Sequence, residues 1–205
     1  MSQHKAPPNS DPRRHLALTA PSAWIERFAG LVPAGGPVLD VACGGGRHTR
    51  LFLDRGHPVT AIDRDMSALD DLGTRPDLER LQADLEDGSR FPLAGRHFAG
   101  IVVTNYLYRP LLPALIAVVA PEGVLIYETF AEGNERFGRP GNPDHLLRHG
   151  ELLEVVRGAL RVVAYEDMLV DTPRPAAVQR ICAYNEGPLT GPRRSTGMPS
   201  ANHRV

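Results

Sequence analysis

Short runs of apolar residues alternate along the chain with segments in which apolar residues recur every three or four positions. Runs of about four to eight apolar residues are typical of buried strands, whereas the longer spacing is typical of amphipathic helices. Glycine and proline residues at the segment ends support the boundaries. Seven strands are predicted, at residues 38–42, 59–62, 81–83, 101–104, 124–130, 160–168 and 177–184. Five helices are predicted, at residues 21–29, 48–55, 68–72, 111–119 and 151–157.

The alternation of strands and helices predicts an α/β fold. Helices that connect parallel strands cover both faces of the sheet. The last two predicted strands are joined by a short proline-rich segment around residues 171–175, which favours an antiparallel hairpin at one edge. We therefore expect a doubly wound, mostly parallel seven-stranded sheet of Rossmann-like form, with helices on both faces. Ligands of such a sheet bind outside the carboxyl ends of the strands.

The two ends of the chain differ from its body. The length of 205 residues suits one domain, which we expect at residues 16–185. Residues 1–15 and 186–205 contain little to bury and are predicted to be disordered. The net charge of -1 divides into -5 for residues 15–185 and +2 for each basic end. The near-neutral total argues against a nucleic-acid partner, although the basic ends leave an RNA partner open.

The sequence predicts a protein of the cytoplasm. No segment approaches the roughly 18 apolar residues of a membrane span, and residues 1–14 lack the apolar part of a secretory signal. The two cysteines, Cys43 and Cys182, have no metal-binding spacing and are too few for a disulfide framework. We therefore expect no membrane partner and no bound metal ion.

The strongest chemical signal is the glycine cluster Gly44-Gly45-Gly46, which follows the first predicted strand and precedes a predicted helix. Glycines let the backbone pass close to a ligand, and a helix N-terminus offers unpaired N–H groups. Such a unit can hold NAD, FAD or S-adenosylmethionine. Thr49 stands where the dinucleotide fingerprint requires a glycine, and Asp40 before the turn suits a ligand with an ammonium group. These two features favour S-adenosylmethionine.

Two further acids follow predicted strands. Asp63 ends the second strand, where a carboxylate can accept hydrogen bonds from both hydroxyls of a ribose. The alternative for Asp63 is a helix cap, which we consider less favoured because of the glycine turn upstream. Asp84 follows the third strand and either accepts from an adenine amino group or is a solvated loop acid.

Five segments, VLDVACGGGR, AID, QADLE, VVTNYLYRPLL and PEGVLIYETF, occur in this order along the chain. Together they resemble the class I S-adenosylmethionine-dependent methyltransferases over about residues 24–184. The resemblance implies S-adenosylmethionine as cofactor. Ala42 stands where the family usually has glycine. Residues 142–167 are similar, more loosely, to the tellurite-resistance-type branch of the family. The candidate cofactor-binding residues are Asp40, Ala42, Gly44, Gly46, Asp63, Arg64, Asp84, Leu85 and Asn105.

Methyl transfer from a sulfonium ion is an in-line displacement that mainly requires positioning. A general base is needed only if the acceptor must lose a proton during attack. Three residues near predicted strand ends or loops are candidate catalytic groups: Glu128, Tyr106 and His145. The alternatives are an ion pair with an arginine for Glu128 and edge packing for Tyr106.

We predict methyl transfer to a small-molecule acceptor. The residues Asn105-Tyr106-Leu107-Tyr108 differ from the Asn/Asp-Pro-Pro-Tyr motif of family members that methylate amino groups of bases, amides or glutamine, so those acceptors are disfavoured. Two other interpretations stay open at this point: an RNA methyltransferase and a non-catalytic cofactor-binding domain.

Overall fold

The computed structural model describes residues 20–187, which form one seven-stranded sheet with helices packed against it. The predicted disordered head and nearly all of the predicted tail lie outside the described residues. The strands are β1 (Val38–Val41), β2 (Val59–Asp63), β3 (Leu78–Gln82), β4 (Phe98–Thr104), β5 (Val119–Phe130), β6 (Arg161–Val170) and β7 (Ala176–Tyr184). The α-helices of this part of the chain are α1 (Ala23–Phe28), α2 (Arg47–Asp54), α3 (Leu112–Ala117) and α4 (Glu151–Val156).

The strand order is β3-β2-β1-β4-β5-β7-β6, with β1 to β5 parallel and β7 antiparallel to both of its neighbours. The mostly parallel sheet and the antiparallel edge hairpin are as expected. The order departs from the 3-2-1-4-5-6 arrangement of dinucleotide-binding folds because β7 lies between β5 and β6. The order reverses between β1 and β4, and a crevice forms there at the carboxyl ends of the strands.

Alternate residues of the central strands point to two separate apolar layers. In β1, Leu39 and Val41 join the layer that contains α3 and α4, whereas Val38 joins the layer that contains α1 and α2. All four residues of β1 are buried, as expected for a parallel strand covered on both faces. Helices therefore cover the sheet on both faces.

Three predicted elements differ clearly from the structure. The fifth strand begins at Val119 instead of Val124, and the preceding helix ends at Ala117, so residue 119 belongs to the strand and not to the predicted helix. The third strand begins earlier than expected, at Leu78. The sequence pattern missed its first residues because Glu79 and Arg80 are polar and interrupt the apolar run in this edge strand. The helix expected at residues 68–72 is a 3-10 helix, Ser67–Leu72. Within residues 20–187, no helix has the length and apolar character needed to cross a membrane.

Candidate active site

A cleft of about 340 Å³ opens at the carboxyl ends of β1 to β4, where the strand order reverses. The start of α2 forms one of its walls. The lining residues are Ala42, Cys43, Gly44, Gly45, Arg47, Asp63, Arg64, Ala83, Asp84, Leu85, Glu86, Thr104, Asn105 and Tyr106. Seven of the nine candidate cofactor-binding residues are in this list: Ala42, Gly44, Asp63, Arg64, Asp84, Leu85 and Asn105. Their role in binding stays a prediction.

The glycine turn has a left-handed backbone at three positions. Ala42, Gly44 and Gly46 have φ angles of 50°, 51° and 70°. A Cβ atom on Gly46 would lie 2.0 Å from Cδ2 of the buried Leu69, so this position requires glycine for packing as well as for its φ angle. An alanine in the left-handed region is strained by about 1–2 kcal/mol, which gives a physical reason for glycine at position 42 in the family.

Asp40 and Gly46 shape the turn from below and do not line the cleft. The Asp40 side chain is 1% exposed, and its Oδ2 accepts a hydrogen bond of 2.7 Å from the Thr49 hydroxyl. Burial raises the pKa of Asp40 to about 6, because only hydrogen bonds from the Thr49 hydroxyl and backbone amide and the charge of Arg47 oppose the desolvation. Asp40 therefore ties β1 to α2 beneath the backbone that faces the ligand.

Asp63 holds the glycine turn and faces the cleft at the same time. Its Oδ2 accepts from the Gly44 amide at 2.9 Å, and its Oδ1 accepts from the Asp65 amide at 3.1 Å. Each carboxylate oxygen can accept a second hydrogen bond, so these contacts are compatible with a ribose ligand. Asp63 thus caps the following turn, which was its alternative role, and also lies in the cleft wall.

The far wall of the cleft is acidic. Asp84 is exposed and accepts from the Glu86 amide at 2.9 Å, and both residues line the cleft. Within residues 20–187, no arginine forms an ion pair with Asp63, Asp84 or Glu86. The cleft therefore presents unneutralised carboxylates, which suit a ligand with positively charged groups.

Tyr106 lines the cleft, as a candidate catalytic residue should. Its hydroxyl oxygen is shielded from solvent and meets no hydrogen-bond partner of acceptable geometry among the described residues. Burial, followed by the negative charge of the nearby Glu86, raises the pKa of this phenol well above its ordinary value. The hydroxyl consequently stays protonated at neutral pH and is a donor, not a base.

Glu128 has the ion pair that the sequence left as its alternative role. Its Oε1 accepts from the Ser22 hydroxyl at 2.9 Å, and its Oε2 lies 3.1 Å from Nε of Arg180. Although the two charges are close, the Arg180 N–H is not aligned for a hydrogen bond. The cleft wall does not include Glu128.

His145 is exposed in a 3-10 helix, Pro143–His145, and does not line the cleft. This turn is held from below by Arg109, whose guanidinium donates to the carbonyls of Asp144 and Leu146 at 2.8 and 2.7 Å. His145 therefore lacks the contact with the cleft that a catalytic role would require.

Arg47 and His48, the first residues of α2, were not predicted as site residues. Arg47 lines the cleft, and its Nη1 donates to the Ala20 carbonyl at 3.0 Å. His48 is 2% exposed, its Nε2 accepts from the Ser22 amide at 3.1 Å, and its Nδ1 lies 3.4 Å from the Thr104 hydroxyl. Burial and the charge of Arg47 lower the pKa of His48 to about 3. Their position directly after the glycine turn was the available signal.

Cys43 lies in the turn with its side chain buried. Burial, together with the negative charges of Asp40 and Asp63, raises the pKa of its thiol far above the ordinary value. A thiol in this environment is a small packing group, because the thiolate is the nucleophilic form.

Known proteins match the part of the chain that builds the cleft. A family model described as a methyltransferase domain matches residues 38–123. Malonyl-(acyl-carrier protein) O-methyltransferase of Salmonella typhimurium is 35% identical over 102 residues, which cover 47% of this chain and 40% of that protein. The chain therefore spans about two fifths of the length of this relative.

Solved structures share the fold at low sequence identity. TehB from Haemophilus influenzae superposes with a TM-score of 0.62 and 13% identity, over 79% of this chain and 61% of TehB. The 1,6-didemethyltoxoflavin-N1-methyltransferase of Burkholderia thailandensis superposes with a TM-score of 0.57 and 20% identity, over 80% of this chain and 79% of that one. The methyltransferase domain match covers β1 to the first residues of β5, which surround the cleft. This match makes residues 38–123 similar to a methyltransferase domain, and the solved methyltransferase structures share the fold of the chain.

Proposed function

We propose that this protein transfers a methyl group from S-adenosylmethionine to a small-molecule acceptor. One observation carries the proposal: the glycine turn after β1 and the Asp63 carboxylate at the end of β2 face the same cleft and are hydrogen-bonded to each other. The cleft volume of about 340 Å³ lies within the range of small-molecule sites, roughly 300–1,000 Å³. When bound, S-adenosylmethionine supplies a methyl group on a positively charged sulfonium sulfur.

The residues present fit this cofactor by the chemistry of their polar groups. Asp63 would accept from the ribose hydroxyls and Asp84 from the adenine amino group, and Leu85 would offer the adenine an apolar contact. The backbone of Gly44 and Gly45 would approach the amino-acid part, since neither residue has a side chain. The unneutralised carboxylates of the cleft favour the positive charges of the cofactor by ordinary Coulomb attraction.

The protein's contribution to catalysis is positioning. Asn105, in a left-handed conformation with φ 54°, and Tyr106 line the cleft directly after β4. Support for a small acceptor comes from the Burkholderia neighbour, which was solved with 1,6-didemethyltoxoflavin and S-adenosylhomocysteine bound. Both cysteines are free thiols, and we place the activity in the cytoplasm, where thiols stay reduced.

The test is calorimetric titration of the full chain with S-adenosylhomocysteine. We expect binding, and a loss of affinity of about 10- to 100-fold in Asp63→Asn, because one charged hydrogen-bond acceptor is removed. Asparagine can still accept from the Gly44 amide, so the turn is retained. Asp54→Asn, at the end of α2 and outside the cleft, is the matched control and should bind like the unaltered chain. A folded protein that does not bind, or equal affinity in Asp63→Asn, contradicts the proposal.

A further inference from the structure

The acceptor's charge class follows from the state of the side chains at and next to the β4 end of the cleft. Attack on a methyl group requires a lone pair on the acceptor. An ammonium group or a neutral hydroxyl must lose a proton to provide it, and that proton needs a base within hydrogen-bond reach. An acceptor that is already deprotonated at neutral pH needs no such base. The side chains around Thr104 and Glu128 therefore distinguish the two classes.

His48 is unable to accept a proton from an acceptor. Its Nε2 already accepts from the Ser22 amide at 3.1 Å, so the ring proton is on Nδ1, which faces the Thr104 hydroxyl. Protonation of Nε2 would break the Ser22 contact and would bury a second cation beside Arg47. The imidazole thus holds the start of α1 in place.

Glu128 is occupied on both oxygens, by the Ser22 hydroxyl and by Arg180. Arg180 lies directly opposite Glu128 in the β5–β7 register and opposite Glu166 in the β7–β6 register. Its Nη1 lies 3.5 Å from the Glu166 carboxylate. Glu128, Arg180 and Glu166 therefore form a row of ion pairs across three strands, and these charges neutralise one another.

Arg47 is the cationic side chain that faces the cleft at this end. Its guanidinium has five N–H donors, and the hydrogen bond to the Ala20 carbonyl uses one of them. The charged groups around it are Glu128, which Arg180 neutralises, and Asp40, which lies behind the glycine turn and is bound by Thr49. The free carboxylates of the cleft, Asp63, Asp84 and Glu86, lie at or after the ends of β2 and β3, and of these Glu86 approaches Tyr106. Arg47 thus presents donors to a ligand at the end where β4 and α2 meet.

We infer that the acceptor is a carboxylate that enters the cleft already ionised and is held by the guanidinium of Arg47. The inference rests on the proposed methyl transfer. In the step, one carboxylate oxygen uses a lone pair to form the new O–CH₃ bond while the C–S bond breaks, and that electron pair stays on sulfur. The sulfonium charge and the carboxylate charge cancel, the products are a methyl ester and neutral S-adenosylhomocysteine, and no proton is released.

The first test measures binding of aromatic probes that differ only in the attacking group: benzoate, benzylamine and phenol. Each is titrated into the full chain saturated with S-adenosylhomocysteine, and amide shifts are followed by NMR. We expect millimolar binding of benzoate and no saturable binding of benzylamine or phenol. Arg47→Gln should weaken benzoate binding by about 10-fold or more, because a charge-assisted hydrogen bond is lost.

Arg50→Gln is the matched control, since Arg50 lies one turn further along α2 and pairs with Asp71 on the surface. It should leave benzoate binding unchanged. Preferential binding of benzylamine or phenol, no binding of any carboxylate probe, or unchanged benzoate affinity in Arg47→Gln overturns the inference. Titration with S-adenosylhomocysteine in the same samples tests the proposed function separately, because its failure would be seen before any probe is added.

The second test counts protons during turnover in weakly buffered solution. With benzoate or another carboxylate that binds, we expect S-adenosylhomocysteine to form without proton release. Release of one proton for each S-adenosylhomocysteine formed, as an ammonium or hydroxyl acceptor requires, would overturn the inference.

Discussion

Asp40 and Glu151 are both buried carboxyl groups, but their surroundings in the two halves of the fold shift their pKa values in opposite directions. Asp40, in β1 beneath the cleft, is held by the Thr49 hydroxyl, and burial raises its pKa to about 6. Glu151 begins α4 and receives two hydrogen bonds, of 2.7 and 2.9 Å, from Arg109. Burial by itself would raise the pKa of Glu151, but the hydrogen bonds from Arg109 and Arg148 outweigh it and lower the pKa to about 2.

The same contrast extends to the surrounding residues. On the β1–β4 side, the acids at the cleft have no arginine partner within the described chain, and two strained residues, Ala42 and Asn105, line the cleft. On the β5–β7 side, arginines neutralise Glu128 and Glu151. Unpaired acids and two of the three non-glycine residues with positive φ among residues 20–187 thus lie at the cleft, the third being Glu122 in β5, whereas Glu128 and Glu151 form ion pairs that link elements.

The largest effect on the free energy of unfolding should come from breaking the Arg109–Glu151 ion pair. Arg109→Met leaves Glu151 buried without its main partner, and we expect a loss of about 3–5 kcal/mol in the free energy of unfolding. Urea unfolding at pH 7 measures it. Arg148→Met is the matched control, because Arg148 is 69% exposed and lies 3.4 Å from Glu151, so its loss should stay below about 1 kcal/mol.

The effect of Arg109→Met should also depend on pH in one direction. The folded-state pKa of Glu151 is lowered from 4.5 to about 2, so its stabilisation is present above pH 4.5 and is lost as the pH falls toward 2. The difference between Arg109→Met and the unaltered chain should therefore shrink in acid. A difference of the same size at pH 3 and pH 7 would show that the ion pair does not cause it.

Asp40 should give the opposite pH dependence, of intermediate size. Because its pKa is raised from 3.8 to about 6 in the folded state, the folded chain binds more protons than the unfolded chain between these values. The free energy of unfolding therefore falls as the pH rises through this window, by on the order of 3 kcal/mol. Asp40→Asn should lack this fall, as measured by urea unfolding at pH 4 and pH 7. The exposed Asp54→Asn should keep it, and an unchanged slope in Asp40→Asn would refute the assignment.

The smallest effect concerns backbone strain. Ala42→Gly relieves the left-handed conformation but increases the freedom of the unfolded chain, and we expect a net gain of about 1 kcal/mol. The melting temperature should rise by roughly 2–4 °C. Ala34→Gly, at an exposed residue whose φ is not positive, should give a small loss instead. A lower melting temperature for Ala42→Gly would mean that the turn is not strained there.

Much of this architecture was predictable from local pattern, and the exceptions have identifiable causes. The seven strands and the hairpin followed from apolar runs and from a linker too short for a crossover. β3 was placed late because its residues alternate between polar and apolar at an edge, so Leu78 was not part of a continuous run. Asp40 lies between Leu39 and Val41, whose side chains point to the opposite face, and this alternation turns its carboxylate toward α2.

The partners of the candidate catalytic residues were not predictable in the same way. Glu128 and Arg180 are 52 residues apart and meet only because the β5–β7 register places them opposite each other. That register depends on the packing of the whole hairpin, which no local pattern encodes. The glycine turn and Asp63, by contrast, are separated by one helix and one strand, so their meeting followed from the order of elements.

The position of β7 between β5 and β6 has a consequence for the order of assembly during synthesis. The strand that completes the interior of the sheet, residues 176–184, leaves the ribosome after both of the strands that it joins. Until then, one edge of β5 is unpaired and the β6 segment has no place in the sheet. Unpaired strand edges are sites of aggregation in partly made chains. Chains truncated before residue 176 should therefore aggregate more readily than the full chain.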